Sequence, residues 1–407
     1  MNIGIITTWF ERGAAYVSKA YEKTFKKKNN VYIYARGGEK YGKGDPNWDR
    51  PNVTFSPFWP SYFFPGHDGM SRIHFYNWIK KNDIDILFFN EQHGIKFVRE
   101  FSNYGVTTGA YIDYYKQENV KDFNVYNFLV CNTKRHYSVF DWHPKCIFIP
   151  WGTDISLFKP SDTPIKQNAV TFFHSAGYGG VNGRKGTDIL VRAFQDVKGE
   201  AKLVIHSQVP VQKYGRDIDQ LIKNDERITF IEKTVSAPGL YHLGDIYVYP
   251  TKLEGIGLSV PEALSCGLPV ITTDSAPMNE FVQQGLNGSL VSIAKSQTRR
   301  DNYYWPETIP DQEDLTKKMQ QYVNQPETVV AHKKNARLFA IENLDWDKNS
   351  LSLNDFVNQF ENSSNIKKNM SLFLPKMFFQ DSVRVIAFCI HKILKPCKPI
   401  LNNLRKH

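Results

Sequence analysis

Glu254 and Glu262 bracket the run Gly255-Ile256-Gly257-Leu258-Ser259-Val260-Pro261. Pro261 suits the first turn of a helix, where its missing N–H costs nothing. Glu262 then falls in that turn, where the positive end of the helix dipole favours a carboxylate. Gly255 and Gly257 leave backbone bare enough to come close to a phosphate or a sugar, with Ile256 and Leu258 completing the turn. One carboxylate before a glycine turn and one just inside a helix can grip two different polyols, with a diphosphate between them. Taken alone, such a pair is more often two solvated side chains at a helix start, so the flanking sequence has to decide.

Upstream, His174-Ser175-Ala176-Gly177-Tyr178-Gly179-Gly180 is glycine-rich and reads as a loop whose backbone amides reach phosphates. Arg184 and Lys185 follow it. A Lys or Arg in a dry cleft neutralises the charge that gathers on a leaving phosphate. No DxD motif stands at a strand end to hold Mg²⁺ or Mn²⁺, so no metal is expected. Nearer the start, Gly13 lies in the loop after the first strand. Asp113 follows a strand ending near Tyr111, while Glu91 and His93 lie in a loop after an earlier strand. A lone glycine there is usually a turn, and a lone loop Asp or His is more often structural than chemical.

These residues need strands and helices to bring them together. The run 2–8 reads as a strand, 15–27 as a helix and 31–34 as the next strand. Ile84–Phe89 and Asn127–Val130 continue the alternation. A second cycle has strand candidates at 169–173, 202–206, 228–231, 246–249 and 269–272. Short buried strands alternating with helices predict parallel sheets covered on both faces. At 407 residues the chain is too long for one ordinary core. The polar, Pro-containing stretch near 155–168 reads as the linker. The expected domains are 1–155 and 165–340, with a helix at about 345–360 completing the first, and 361–407 as a tail. Tandem doubly wound sheets put their strand ends at a common cleft.

In the second half, Asp245-Ile-Tyr-Val-Tyr-Pro, Glu254-Gly-Ile-Gly-Leu, Pro261-Glu-Ala-Leu-Ser-Cys-Gly-Leu-Pro-Val-Ile, Asn279-Glu280 and Gly285-Leu-Asn-Gly follow one another. Pro150-Trp-Gly-Thr-Asp154, Lys185-Gly186 and Trp346 agree in order and spacing. This pattern resembles glycosyltransferase family 4, retaining enzymes of the GT-B fold, strongly in the second half and loosely in the first. The resemblance implies two facing Rossmann-like domains and an inter-domain cleft. It also implies a nucleotide-diphosphate sugar, UDP- or GDP-linked, as substrate and no other cofactor. Glu254 would bond donor-sugar hydroxyls, Glu262 the ribose, Lys185 the diphosphate, and Gly13 would let backbone approach it. Family members carry an Arg five residues before that Lys; Gly180 stands there, and Arg184 is the candidate replacement. Where the family often places a cleft histidine, this chain has Asp113, with Glu91 and His93 as rivals.

The formal charge of +10 predicts attraction to a polyanion. From 362 to 407 nine Lys or Arg face one acid, Asp381. Val383, Ile386, Ala387, Ile390, Ile393 and Leu394 recur at helical spacing opposite Arg384, His391 and Lys395. Asp381 or Ser382 suits the N-cap, and Pro396 the stop. Such a helix suits an anionic membrane surface, engaged through 367–398, although packing on the protein is the plainer alternative. Phe373, Phe378 and Phe379 would add buried area, and Lys26-Lys27-Lys28 would face the same surface or serve a helix C-terminus. Residues 55–65, rich in Pro and aromatics, read as a loop. Nucleic acid is not expected, because no recognition motif accompanies the charge. Five cysteines without a CxxC pair, and a first segment that reads as a strand rather than a leader, point to the cytosol.

The sequence therefore predicts a retaining, metal-independent transferase at the inner face of a bacterial membrane. It would move a hexose to a lipid-linked or polysaccharide acceptor in lipopolysaccharide, O-antigen or capsule synthesis. The alternatives are an epimerase or phosphorylase of the same fold, and a non-catalytic partner subunit.

Overall fold

The computed structural model describes residues 1–36, 42–57, 70–90, 92, 94–161, 169–178, 183–360 and 373–394. The first unit runs Asn2–Thr7 (β1), Gly13–Phe25 (α1), Asn30–Ala35 (β2), Val53–Phe55 (β3), Arg72–Lys81 (α2) and Ile86–Phe89 (β4). It continues through Ile95–Asn103 (α3), Thr107–Tyr111 (β5), Phe128–Cys131 (β6), Lys134–Phe140 (α4) and Cys146–Phe148 (β7). The strands form one parallel sheet in the order β3-β2-β1-β4-β5-β6-β7. Every residue of β4, β5 and β6 is buried, which is why these strands are continuous apolar runs rather than alternating ones.

The second unit contains Val170–Gly177 (β8), Thr187–Gln195 (α5), Ala201–Ser207 (β9), Arg216–Asn224 (α6) and Ile228–Glu232 (β10). Ile246–Tyr249 (β11), Ser259–Ser265 (α7), Val270–Thr273 (β12) and Gly288–Val291 (β13) complete its parallel sheet, ordered β10-β9-β8-β11-β12-β13. All five strands expected in the second cycle form. The first runs four residues further than expected, so His174–Gly177 is strand, not loop. His174 is buried there, its ring tied to Val248 O and Thr187 Oγ1 at 2.8 Å each, and serves the core. Strand order reverses between β1 and β4 and again between β8 and β11, the positions where doubly wound sheets bind ligands.

One feature, the antiparallel arm, went unread in the sequence, whereas a helix near 345–360 returning to the first unit was expected. Ile293–Gln297 (β14) and Glu307–Pro310 (β15) pair antiparallel and leave the second sheet as an arm. After Gln312–Asn324 (α8) and Pro326–Asn343 (α9), the chain crosses back to the first unit through Trp346–Asn349 (α10) and Leu353–Asn358 (α11). Buried Trp346 donates Nε1–H to Ala20 O and Thr24 Oγ1 on α1. Gly152 allows the crossing: a Cβ there would sit 2.6 Å from Trp346 N and 2.7 Å from Leu344 O. Lys26, Lys27 and Lys28 do not form an open basic face. They pair with Glu22, Asp347 and Asp355, the last two on the returning helices.

Leu374–Leu394 (α12) is the tail helix. It starts seven residues before Asp381, so Asp381 and Ser382 do not cap it. Instead Asp381 is buried and caps α2, accepting from Ser71 Oγ at 2.6 Å and from Arg72 N and Ile73 N at 3.1 Å. Three donors at the start of α2 offset the cost of burying that carboxylate. Arg384, expected to face solvent, turns inward with Met377 and Asp381. Phe373 stacks on Tyr104 at 4.3 Å rather than extending an outer face. The outer face is apolar, with Phe378, Phe379, Val383, Ile386 and Ile390 exposed. Lys395, Pro396 and most of the 55–65 stretch lie outside the described residues.

Candidate functional site

A cleft of about 600 Å³ opens between the two sheets, lined by the loops that follow β1, β5, β8, β9, β10 and β11. The size suits a nucleotide-scale ligand. Its most charged part is Glu254, which the Thr251–Leu253 turn after β11 carries into the cleft.

Glu254 is 6% exposed and accepts at both carboxylate oxygens. Oε1 accepts from Lys185 Nζ at 2.8 Å, Tyr249 OH at 2.8 Å and Thr251 Oγ1 at 2.9 Å. Oε2 lies 3.3 Å from Arg184 Nη1, which also donates to Leu253 O. Burial alone would raise the carboxyl's pKa. The Arg184 and Lys185 charges, with the Lys185 and Tyr249 hydrogen bonds, outweigh it and hold the pKa at about 2. Burial lowers the pKa of the Lys185 ammonium, with the Glu254 carboxylate opposing. Lys185 reaches this spot because Gly186, at φ +70°, turns the chain into α5. A Cβ at Gly186 would lie 2.0 Å from Pro250 O.

Glu262 sits in the first turn of α7, partly buried, and accepts from Tyr241 OH at 2.6 Å. Burial pushes its pKa up to about 7, and the Tyr241 bond and Lys185 charge only moderate the rise. Across the cleft α1 begins at Gly13, whose missing Cβ would touch only Leu258 Cδ1, at 3.5 Å. The first turn of α1 lines the same cleft through Gly13, Ala14, Tyr16 and Val17, and helix starts of this kind bind anions. Gly255, Ile256, Gly257 and Leu258 line the same space.

Asp113 also lines the cleft; a Cβ on Gly255 would stand 3.8 Å from its own Cβ. The structure therefore brings Gly13, Arg184, Lys185, Glu254, Gly255, Ile256, Gly257, Leu258, Glu262 and Asp113 to one cleft. Glu91, His93 and Gly180 lie outside the described residues.

Sequence reasoning missed three contributions: the 235–241 loop, the α4 contacts of His136 and Glu280, and the arm. The loop 235–241 after β10 forms one wall and carries Tyr241. His136 on α4 is buried, its Nε2 2.9 Å from Gly255 O and its Nδ1 2.9 Å from Tyr115 OH. Burial and the Arg135 charge hold its pKa at about 3, so the ring is neutral and ties the first domain to the glycine turn. Glu280 caps α4 from the second domain, accepting from Lys134 N at 2.7 Å and Arg135 N at 2.9 Å. The third is the arm, whose Arg299 and Tyr303 reach the Asp113 side. The only sequence signal for it was the aromatic run Tyr303-Tyr304-Trp305.

Residues 175–299 match the family described as Glycosyl transferases group 1. The chain is 28% identical over 201 residues to a lipopolysaccharide core biosynthesis mannosyltransferase from Rhizobium leguminosarum bv. viciae. That alignment covers 46% of this chain and 52% of the relative, so the chain spans about half the length of that relative. Among solved structures it resembles Anabaena HepE in complex with UDP and glucose, with TM-score 0.68 at 16% identity, covering 88% of this chain and 100% of the other. WaaG, a glycosyltransferase involved in lipopolysaccharide biosynthesis, matches with TM-score 0.62 at 15% identity, covering 89% and 100%. The fold is GT-B, two parallel-sheet Rossmann-like domains about a cleft. The segment of its second domain that matches the group 1 glycosyl transferases holds Arg184, Lys185, Glu254 and Glu262.

Proposed function

We propose that the chain transfers a hexose from a nucleotide-diphosphate sugar to a glycan or lipid-linked acceptor of the bacterial cell surface, with retention at the anomeric carbon. The observation that carries this reading is the buried Glu254, held ionised between Lys185 and Arg184 and facing the start of α1 across the cleft. In the donor complex, Glu254 accepts hydroxyls of the transferred sugar and Glu262 accepts those of the ribose. Lys185, Arg184 and the first turn of α1 receive the diphosphate, so charge forming on the leaving group meets fixed cations and amides. These groups supply the compensation that a divalent ion gives elsewhere, and no metal is required. The departing phosphate stands beside the incoming hydroxyl and takes its proton, with Asp113 orienting that hydroxyl. The similarity to a lipopolysaccharide core mannosyltransferase supports the choice of acceptor class.

The same proposal places the protein peripherally on the inner face of the membrane. No helix among the described residues is long and apolar enough to cross a bilayer. The outward face of α12 carries Phe378 and Phe379 at 62% and 70% exposure, in a tail with nine basic residues against one acid. That combination suits an anionic lipid surface.

The test is transfer from uridine, guanosine and adenosine diphosphate sugars to glycan acceptors, with EDTA present and with product anomers read by NMR. Wild type is expected to transfer one donor with retention, and Glu262→Ala to bind that donor more weakly. Equal donor binding by both proteins, inversion, or loss of activity in EDTA would each remove the corresponding part of the proposal. Cosedimentation with anionic liposomes before and after truncation at 361 reads the membrane part; equal binding by both forms refutes it.

A further inference from the structure

The arm formed by β14, β15 and their connection belongs to the second domain by sequence but grips the first. Tyr304 N donates to Tyr115 O at 3.0 Å, Tyr303 OH to Asp113 O at 3.0 Å, and Trp305 Nε1 to Tyr115 OH at 2.6 Å. The segment 113–116, which presents Asp113, is therefore fixed by the arm. The arm also furnishes the cleft there. Tyr114 stacks on Tyr303 with centroids 5.2 Å apart and planes 17° apart, and Arg299 covers Tyr303 at 5.4 Å. Arg299 is held bidentate by Asp301 at 3.0 and 2.6 Å, and Asp301 also accepts from Tyr114 OH at 3.1 Å.

We propose that this arm builds the acceptor subsite, in which an uncharged sugar ring of the acceptor packs on Tyr114 with its hydroxyls on the Arg299–Asp301 pair. The inference rests on the glycosyl-transfer reading and adds to it the class of acceptor group and the residues that choose it. An aromatic face paired with fixed polar groups suits a pyranose, whose C–H face is apolar and whose rim is hydroxylated. The guanidinium and carboxylate cancel within the pair, so the subsite offers directional hydrogen bonds without net charge and favours a neutral sugar over a phosphorylated one. A ring seated there lies beside Asp113 and faces the Gly255 turn, where the donor sugar would be.

The experiment is glycan binding without donor: an array of neutral and phosphorylated oligosaccharides probed with the full chain, Tyr114→Ala, Arg299→Gln, Tyr114→Phe and Glu254→Ala. Wild type, Glu254→Ala and Tyr114→Phe are expected to retain the same neutral glycans. Tyr114→Ala and Arg299→Gln are expected to weaken them by about tenfold. Melting curves separate binding loss from unfolding, and Tyr114→Phe keeps the ring if Tyr114→Ala does not fold. The inference is overturned if no glycan is retained, if phosphorylated glycans are preferred, if Tyr114→Ala and Arg299→Gln bind as wild type does, or if Glu254→Ala loses as much as they do. Donor titration on the same proteins reads the proposed function separately. Donor binding with an unchanged glycan profile sinks only the subsite, and glycan binding without any donor sinks only the transferase reading.

Discussion

The half of the cleft around Glu254 and the half around Asp113 are built in opposite ways. The first takes its acids from one continuous strand–turn–helix segment, and its cations are adjacent residues before α5. The second is assembled from residues near 113, from α4 and from an arm near 300, joined only in the folded chain. Under the proposed function the first half holds a constant chemical feature, a diphosphate between two polyols, which local geometry can fix. The second half would then meet the acceptor, and an arm that stands outside the second sheet can shape it without disturbing the first.

The largest test of this contrast is a pair of isosteric changes. Glu254→Gln is expected to lower transfer by about 100-fold or more, because a preorganised charge is removed from a buried site. Asp113→Asn should cost about tenfold, a modest effect for a group proposed only to orient the acceptor. Initial rates under saturating donor check this, and equal losses would break the contrast.

A second pair separates glycines of the fold from glycines of the site. Gly186→Ala forces a side chain into the left-handed region and against Pro250 O, and should lower stability by more than about 2 kcal/mol in urea denaturation. Gly13→Ala has room for its methyl and should melt as wild type while binding donor more weakly.

Third, Trp305→Phe removes the arm's bond to the Tyr115 hydroxyl and should cost about 1 kcal/mol. The loss should appear in acceptor KM and leave donor KM within about twofold.

The smallest effect is in pH dependence. Glu262 titrates at about 7 in the fold against 4.5 when free. Below pH 4.5 it is protonated in both states. Between 4.5 and 7 the unfolded chain loses the proton first, so stability falls as pH rises, and the cost persists above 7. Glu262→Gln should therefore raise the melting temperature at pH 8 more than at pH 5. Donor affinity of wild type should rise over the same range as the carboxylate forms. Glu254 has the opposite sign: its depressed value stabilises the fold above pH 4.5, and that contribution disappears as pH falls toward 2.

The contrast also explains what the sequence disclosed. Strands β8 to β12 were legible because each is a short apolar run bounded by turn residues, and the glutamate pair because helix-start chemistry is local. His136 was not legible, since nothing near it in sequence indicates a carbonyl from residue 255. The arm was missed because its strand residues Ile293–Gln297 are all exposed and lack an apolar signature. Among the described side chains of α12, Val383, Ile386 and Ile390 face outward and Arg384 inward, so the side that meets the protein is the polar one. Asp381, capping the start of α2, holds that polar side against the first unit.

The return of α10 and α11 to α1 sets an order of events during synthesis. Ala20 and Thr24 leave the ribosome more than 300 residues before Trp346, their partner. The first domain cannot finish its surface when its own strands are complete, although domains made early generally fold early. It must wait, with the α1 face uncovered, until the second domain has been translated. The two halves of the cleft are thus completed together, and a chain cut short before residue 346 would carry the Glu254 site beside an unfinished neighbour.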